Sequence, residues 1–224
     1  MEHIFTHVYE NKVWGDNQMC EYSGSSGGGS DADYNKEYIP IFKKIILDKK
    51  ITSVVDLGCG DFRCGKLLYD DLDVTYTGYD TYQKVVDYNS TQFPSPKYSF
   101  HHLDFYTYKE KLQRADLCIL KDVLQHWSLE NIYTFLDTIV IHKMFKYVLI
   151  CNCGYQTQHN TDIPIGAFRP LSCQYFPLKK YNPIKIGVYH TKEISIIEIK
   201  RTMEDDILDL KKEVYELKRM LMKS

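Results

Sequence analysis

Apolar runs alternate with amphipathic stretches through the middle of the chain. Five runs are predicted to be strands: 51–57, 74–80, 98–105, 115–122 and 145–152. The first, ITSVVDL, is continuously apolar and ends in a glycine turn, which is typical of a strand buried on both faces. Helix-like stretches follow the first two runs, and a helix is predicted near 128–142. Strands that alternate with helices indicate a parallel sheet with right-handed crossovers.

Two further β-branched runs, 184–190 and 192–200, are separated only by Thr191. This link is too short for a crossover and favours an antiparallel hairpin. The predicted fold class is therefore α/β. It has a doubly wound seven-stranded sheet, mostly parallel with an antiparallel strand at the end, and a C-terminal helix after it.

The segment 202–222 carries a narrow apolar stripe at alternating spacings of four and three residues. Its members are Met203, Ile207, Leu210, Val214, Leu217 and Leu221. This is the a/d pattern of a heptad repeat. A lone helix of about 20 residues is marginal in water, so we expect the stripe to be covered. It packs either on its own domain or in a coiled coil that makes dimers or trimers, and the narrowness of the stripe favours the coiled coil.

Composition sets broad limits on the class of protein. The 224 residues have a formal net charge of -2, which argues against nucleic acid as the main partner. Seven cysteines without framework spacing indicate reduced thiols. Neither a signal peptide nor a membrane-spanning run is evident, so a cytoplasmic location and no membrane partner are expected. Three units are predicted: an N-terminal lid (1–35), a central domain (36–200) and a C-terminal heptad helix (201–224).

The strongest chemical signal is the motif VDLGCGD at 55–61. Gly58 and Gly60 permit a tight turn and close approach of a ligand to the backbone. A dinucleotide fingerprint would have a third glycine where Arg63 stands. Asp56, before the glycines, suits an ammonium group and would repel a pyrophosphate. The expected ligand therefore carries a positive group as well as a carboxylate.

This motif resembles motif I of the class I S-adenosylmethionine-dependent methyltransferases, and the resemblance covers roughly residues 50–155. It implies a Rossmann-like fold and S-adenosylmethionine as cofactor. By resemblance, Asp80 would hold the ribose hydroxyls, Asp104 would meet the adenine amino group, and Phe105 would flank the adenine ring. The full predicted set is Asp56, Gly58, Cys59, Gly60, Asp80, Thr81, Asp104, Phe105 and Lys121. Each acid taken alone could instead be a helix N-cap.

The N-terminal segment is similar to a cap found in a glycan-associated subgroup of these enzymes. It has a YxxxxWG pattern ending at Gly15 and the run SGSSGGGS at 23–30. The resemblance implies a lid over the acceptor, with Trp14 and Tyr22 as walls and Ser23 and Asp31 as polar contacts. The glycine- and serine-rich run could equally be a flexible linker.

A second segment, GAFRPLS at 166–172, is similar to an xxRPL loop of the same subgroup. Its Arg169 offers a fork of donors for a carboxylate, a phosphate or paired sugar hydroxyls. Arg169 is therefore a predicted substrate contact, with an ordinary surface arginine as the alternative.

Catalysis is assigned to His126 as general base, oriented by Asp122 four residues earlier on one helix face. The alternative is a packed or surface histidine. Weaker base candidates are Asp31, Asp33, Asp162 and His159. No metal is predicted, because clustered carboxylates are not evident and Cys151, Cys153 and His159 lack a fourth zinc ligand.

The resemblance implies an O-methyltransferase that acts on a sugar hydroxyl of a glycan. The bias towards Tyr, Lys and Asn also resembles glycan-modifying enzymes of large DNA viruses, which would act in the host cytoplasm. Two alternatives stay open: a methyltransferase of a small metabolite or protein side chain, and a non-catalytic scaffold that oligomerises through 202–222.

Overall fold

The computed structural model describes residues 1–17 and 22–221, so Cys20 lies outside the described residues. Seven strands form one sheet in the order β3-β2-β1-β4-β5-β7-β6. Their bounds are β1 Ser53–Leu57, β2 Thr75–Asp80, β3 Tyr98–His102, β4 Ala115–Lys121, β5 Phe145–Cys153, β6 Ile184–Tyr189 and β7 Lys192–Glu198.

Strands β1 to β5 pair in parallel. Strand β7 runs antiparallel between β5 and β6. This confirms the predicted α/β class and the antiparallel hairpin at one end of the sheet. The strand predicted over 98–105 stops at His102, so Asp104 and Phe105 lie in the loop that follows it.

Helices cover both faces of the sheet. The α-helices are α1 Glu2–Glu10, α2 Tyr38–Asp48, α3 Gly65–Tyr69, α4 Gln83–Gln92, α5 Leu129–Ile141 and α6 Met203–Leu221. Helix α5 packs Phe135 and Leu136 into the core on one face. Helix α2 packs Phe42 and Ile46 into the core on the other. Strands β1, β4 and β5 between these layers are mostly buried, as their continuous apolar sequence predicts.

The apolar stripe of α6 is exposed at its described side chains. Met203 is 80% exposed and Leu210 is 62% exposed, while the side chain of Leu217 lies outside the described residues. Packing of this stripe on its own domain is therefore not seen for the described positions. Among the described residues, no helix is long and apolar enough to cross a membrane.

Candidate cofactor and acceptor site

Three acids stand at the carboxyl ends of adjacent parallel strands. Asp56 lies near the end of β1, Asp80 ends β2, and Asp104 follows β3. They line two adjoining clefts, of about 610 and 600 Å³, which share Gly58 and Gly60. Asp80 and Asp104 line the first cleft, and Asp56 lines the second. The three acids predicted from the sequence thus lie together at one edge of the sheet, where ligands bind in open α/β folds.

The turn after β1 requires glycine at two positions. Gly58 has φ +77° and Gly60 has φ +55°. A Cβ on Gly58 would lie 2.7 Å from a methyl carbon of Val123, and one on Gly60 would lie 2.7 Å from Ser26 Oγ. Both backbone conformation and space therefore exclude a larger residue without rearrangement.

Asp80 fastens this turn to the end of β2. Its carboxylate accepts hydrogen bonds from the backbone N–H groups of Gly60 and Tyr82, each at 3.0 Å. Burial raises the pKa of Asp80, and these N–H groups act in the opposite direction. Asp80 therefore shapes the glycine turn as well as lining the cleft.

Asp56 is a half-buried carboxyl group with one described side-chain donor, the Tyr76 hydroxyl at 3.0 Å. Burial raises the pKa of Asp56 to about 6, although Tyr76 and the Lys121 ammonium group act to lower it. A positive ligand group beside this carboxylate would favour its charged form and lower its pKa.

Asp104 already holds helix α1 in this structure. Its carboxylate accepts from the Met1 α-amino group at 2.5 Å, the Glu2 N–H at 3.2 Å and the Thr107 hydroxyl at 2.9 Å. Met1 also lines the first cleft. An adenine amino group at Asp104 would therefore take the place of the Met1 ammonium, and the predicted adenine role stays a prediction.

The wall beside Asp104 is aromatic. Phe105 stacks on Trp127 with ring centroids 5.9 Å apart. Both rings line the first cleft, and the Trp127 indole N–H is buried without a hydrogen-bond partner among the described residues. Buried donors are normally paired, so this N–H is an unsatisfied donor in a residue of the cleft wall. Thr81 lines the same cleft. Cys59 and Lys121 line the second cleft.

Solved structures of methyltransferases share this arrangement of strands. Human N-acetylserotonin methyltransferase, in complex with SAM, matches 72% of this chain with a TM-score of 0.54 and 16% identity. This chain has the class I S-adenosylmethionine-dependent methyltransferase fold. The N-methyltransferase NodS from Bradyrhizobium japonicum, in complex with S-adenosyl-L-homocysteine, matches 76% of this chain with a TM-score of 0.55 and 11% identity. The methyltransferase domain of bacterial CtHen1 matches 75% with a TM-score of 0.57 and 13% identity.

This chain covers a different share of each of these three structures. It spans 51% of the human enzyme, 90% of NodS and 100% of the CtHen1 domain. No protein-family model and no curated protein matches the sequence.

Residues 22–30 of this methyltransferase fold pack closely over the glycine turn. Ser26 Oγ lies 3.0 Å from the Tyr9 hydroxyl and accepts from the Asp61 N–H at 2.9 Å. A Cβ on Gly24 would lie 2.3 Å from the Tyr9 carbonyl oxygen. The glycine- and serine-rich run is therefore packed structure and not a flexible linker.

Two predicted contacts of this lid have other roles. Tyr22 does not line either cleft, because it is buried and its hydroxyl donates to Asp61 at 3.1 Å. Asp31 is exposed and accepts from the Tyr34 N–H at 3.0 Å. Ser23 lines neither cleft among the described residues, whereas Trp14 lines the first, as predicted for a wall.

His126 lines the first cleft at the end of a short 3₁₀ helix, Leu124–His126. Its Nδ1 atom lies 2.9 Å from the Ala167 carbonyl oxygen, and its ring contacts Trp14 at 4.9 Å between centroids. Burial lowers the pKa of His126 below its ordinary value, against the raising effects of Ala167 and Asp122. The imidazole is therefore neutral near pH 7 and able to accept a proton.

The prediction that Asp122 and His126 share one helix face is wrong. The Gln125 amide nitrogen lies between them, 3.1 Å from Asp122 Oδ1 and 3.5 Å from His126 Nε2. Asp122 has φ +61°, so the segment is not a continuous helix and the two side chains do not share a helix face. The Asp122 carboxylate instead pairs with Lys121, at 3.0 Å, and with Lys192, and it accepts from Gln125. Burial would raise the pKa of Asp122, but the two ammonium groups outweigh it and hold the pKa low.

Arg169 is a structural residue and not an exposed substrate contact. It is 3% exposed, and its guanidinium donates to the carbonyl oxygens of Thr161 and Leu124, each at 3.0 Å. Burial lowers the pKa of Arg169 to about 10. This side chain ties the 161–169 loop to the 3₁₀ helix that carries His126.

Several residues of the site carry no local sequence signal. Lys192 begins β7 in a β-branched run, yet its ammonium group reaches Asp122 across 70 residues of sequence. Tyr9, Ser26 and Trp127 line the first cleft as well. Within residues 1–17 and 22–221, no three His, Cys, Asp or Glu side chains are placed to hold a metal ion.

Proposed function

We propose that this chain is an S-adenosylmethionine-dependent O-methyltransferase that transfers a methyl group to a sugar hydroxyl of a glycan. One observation carries the proposal. In a methyltransferase fold, Asp56 and Asp80 line adjoining clefts that share Gly58 and Gly60, and His126 lines the cleft that contains Asp80.

The side chains fit this cofactor chemically. Asp56, with its raised pKa and single described hydroxyl donor, suits the methionine ammonium group. Asp80 lines the first cleft with a carboxylate suited to ribose hydroxyls, and the unpaired Trp127 N–H suits a ring nitrogen. When bound, the cofactor supplies an electrophilic methyl group on a sulfonium. A pyrophosphate-containing dinucleotide fits less well, since Asp56 would repel it.

The proposed catalytic residue is His126. Its Nδ1–H donates to Ala167, which leaves the lone pair of the neutral ring on Nε2. The Gln125 amide nitrogen lies 3.5 Å from Nε2, so an acceptor hydroxyl would take the place of this long contact. The Nε2 atom accepts the acceptor hydroxyl proton as the oxygen attacks, and the ring becomes imidazolium. The contact with Trp14 and the bond to Ala167 hold the ring in position for this transfer.

Aromatic side chains around His126 support a sugar as the acceptor. Trp14 contacts the imidazole from the cleft, and Phe168 contacts it from the other loop at 5.9 Å between centroids while staying 56% exposed. Tyr155, 44% exposed, lines the same open groove as Phe168. Ring faces of this kind stack on the C–H faces of sugars. The free thiols of the described cysteines support a reducing, cytoplasmic setting.

The test is mass spectrometry of candidate oligosaccharides after incubation with S-adenosylmethionine. The proposal predicts a gain of one methyl group on a sugar, formed much more slowly by the His126→Ala variant and insensitive to a chelator. Small phenols and amines are incubated in parallel. Methylation of those compounds alone, with no sugar product, would replace the glycan acceptor by a small metabolite.

A further inference from the structure

We propose that helix α6 pairs with α6 of a second copy of this chain in a parallel, two-stranded coiled coil. The surface concerned is the apolar stripe of the heptad repeat. Its described members are exposed by 43% to 80%: Met203, Ile207, Leu210, Val214 and Leu221. A lone helix of this length is marginal in water. Another surface must therefore cover the stripe.

The start of α6 is held firmly to the domain. The Asp205 carboxylate accepts from the Thr202 hydroxyl at 2.8 Å and pairs with Lys143 at 2.6 Å. Arg201 donates to the Lys143 carbonyl oxygen at 2.5 Å. These contacts use the polar side of the first turn. They therefore leave the apolar side uncovered and fix where the helix begins.

The sequence of the stripe indicates the number of strands. Spacing places Ile207, Val214 and Leu221 at the a positions, and Met203, Leu210 and Leu217 at the d positions. β-Branched residues at a with leucine at d favour parallel dimers over trimers or tetramers. Two of the three a positions are β-branched here, and two of the three d positions are leucine.

The charges beside the stripe indicate the direction of pairing. In the sequence, Asp206 and Glu213 occupy g positions, and Lys211 and Lys218 occupy e positions. In a parallel pair, each g residue faces the e residue of the next heptad on the other chain. Position 206 then faces 211, and position 213 faces 218, so each contact joins an acid to a lysine.

An antiparallel pair in full register is less complementary, because it joins an acid to a lysine only between Glu204 and Lys218. Glu213 would face Glu213 of the second copy, and Lys211 would face Lys211 of the second copy. Like charges in these positions destabilise pairing. The charges of two parallel α6 helices therefore complement each other. The partner that fits this surface is another copy of the same helix.

The number of copies is tested by light scattering on the full chain over a range of concentrations. The expected mass is twice that of the monomer. The double variant Lys211→Glu/Lys218→Glu should lose the dimer, and adding Asp206→Lys/Glu213→Lys should restore it. Circular dichroism checks that each variant keeps the fold. A monomeric wild type, a trimeric mass, or a double variant that dimerises as well as wild type would overturn the proposal.

The direction is tested by disulfide cross-linking. Met203→Cys at a d position should form a covalent dimer under mild oxidation, because a parallel pair places the two copies of this residue side by side. Tyr215→Cys, at position b and 64% exposed, is the matched control and should not. The wild-type protein, oxidised in the same way, shows how much cross-linking the native thiols cause. Absence of the link at 203, or an equal link at 215, would overturn the parallel arrangement.

Discussion

His126 donates from Nδ1 to the carbonyl oxygen of Ala167, 2.9 Å away, across 41 residues of sequence. A carbonyl oxygen only accepts, so this bond fixes the proton of the neutral ring on Nδ1 and the lone pair on Nε2. The loop that supplies Ala167 is itself held by Arg169. The protonation pattern of the proposed base is therefore set by a loop far from it in the chain.

Replacing the base should slow chemistry without affecting cofactor binding. His126→Ala is expected to lower kcat by about 10²- to 10⁴-fold, the usual contribution of a positioned base. Initial rates and calorimetric titration with S-adenosylmethionine measure the two effects separately. His3→Ala, an exposed histidine on α1, is the matched control. Unchanged turnover in His126→Ala would remove the residue from the mechanism.

The acid limb of the pH–rate profile should lie below pH 6.5. Burial lowers the pKa of His126 from its ordinary value of 6.5. A base works only when neutral, so activity is retained above the lowered pKa and is lost as the pH falls through it. The profile of kcat/KM measures the group in the free enzyme. An acid limb above pH 7 would contradict this assignment.

Cofactor affinity should depend on the ionisation of Asp56, whose pKa is about 6 in the ligand-free protein. An ammonium group pairs with the carboxylate form, so affinity is constant above that pH and falls by up to about tenfold per pH unit below it. Tyr76→Phe removes a hydrogen bond that lowers the pKa of Asp56, so it should move the midpoint to higher pH.

Calorimetric titrations from about pH 5 to 7.5 follow this transition. Asp56→Asn supplies the reference that cannot ionise, and its affinity should be weak and independent of pH. A flat profile for the wild type would show that Asp56 does not meet the ammonium group.

The lid should tolerate a methyl group at one glycine and not at its neighbour. A Cβ on Gly29 would lie 2.5 Å from Asp122 Oδ2, whereas one on Gly28 meets nothing within 4 Å. The Asp122 carboxylate is held by Lys121 and Lys192 and cannot move freely. Gly29→Ala should therefore lower the free energy of unfolding by about 1–3 kcal/mol, the usual cost of overpacking, which thermal unfolding measures.

Gly28→Ala is the matched control and should unfold as the wild type does. Equal unfolding temperatures of the two variants would show that residues 28–29 do not pack on Asp122.

Local pattern was enough to predict the sheet and the edge where the acids meet. The reason is that strand periodicity and the Gly58–Gly60 turn are properties of short segments, and parallel strands bring their carboxyl ends together. Asp56 was predicted from the glycine motif itself, whereas the roles of Asp80 and Asp104 came from the resemblance to the methyltransferase family.

Contacts between distant loops were not predictable in the same way. Pairing of Asp122 with Lys192 depends on the register of the hairpin against β5 and not on any local spacing. The burial of Arg169 likewise depends on how the 161–169 loop folds over Leu124. Sequence spacing alone suggested an Asp122–His126 pair, and the positive φ of Asp122 breaks the helix which that pair requires.

The central claim is that the paired clefts bind S-adenosylmethionine. Calorimetric titration of the full chain with S-adenosylmethionine, and with NAD in parallel, tests it most directly. The account predicts one-to-one binding of S-adenosylmethionine, weakened in Asp56→Asn, and no binding of NAD. Absence of S-adenosylmethionine binding at neutral pH, or binding of NAD in its place, would contradict it.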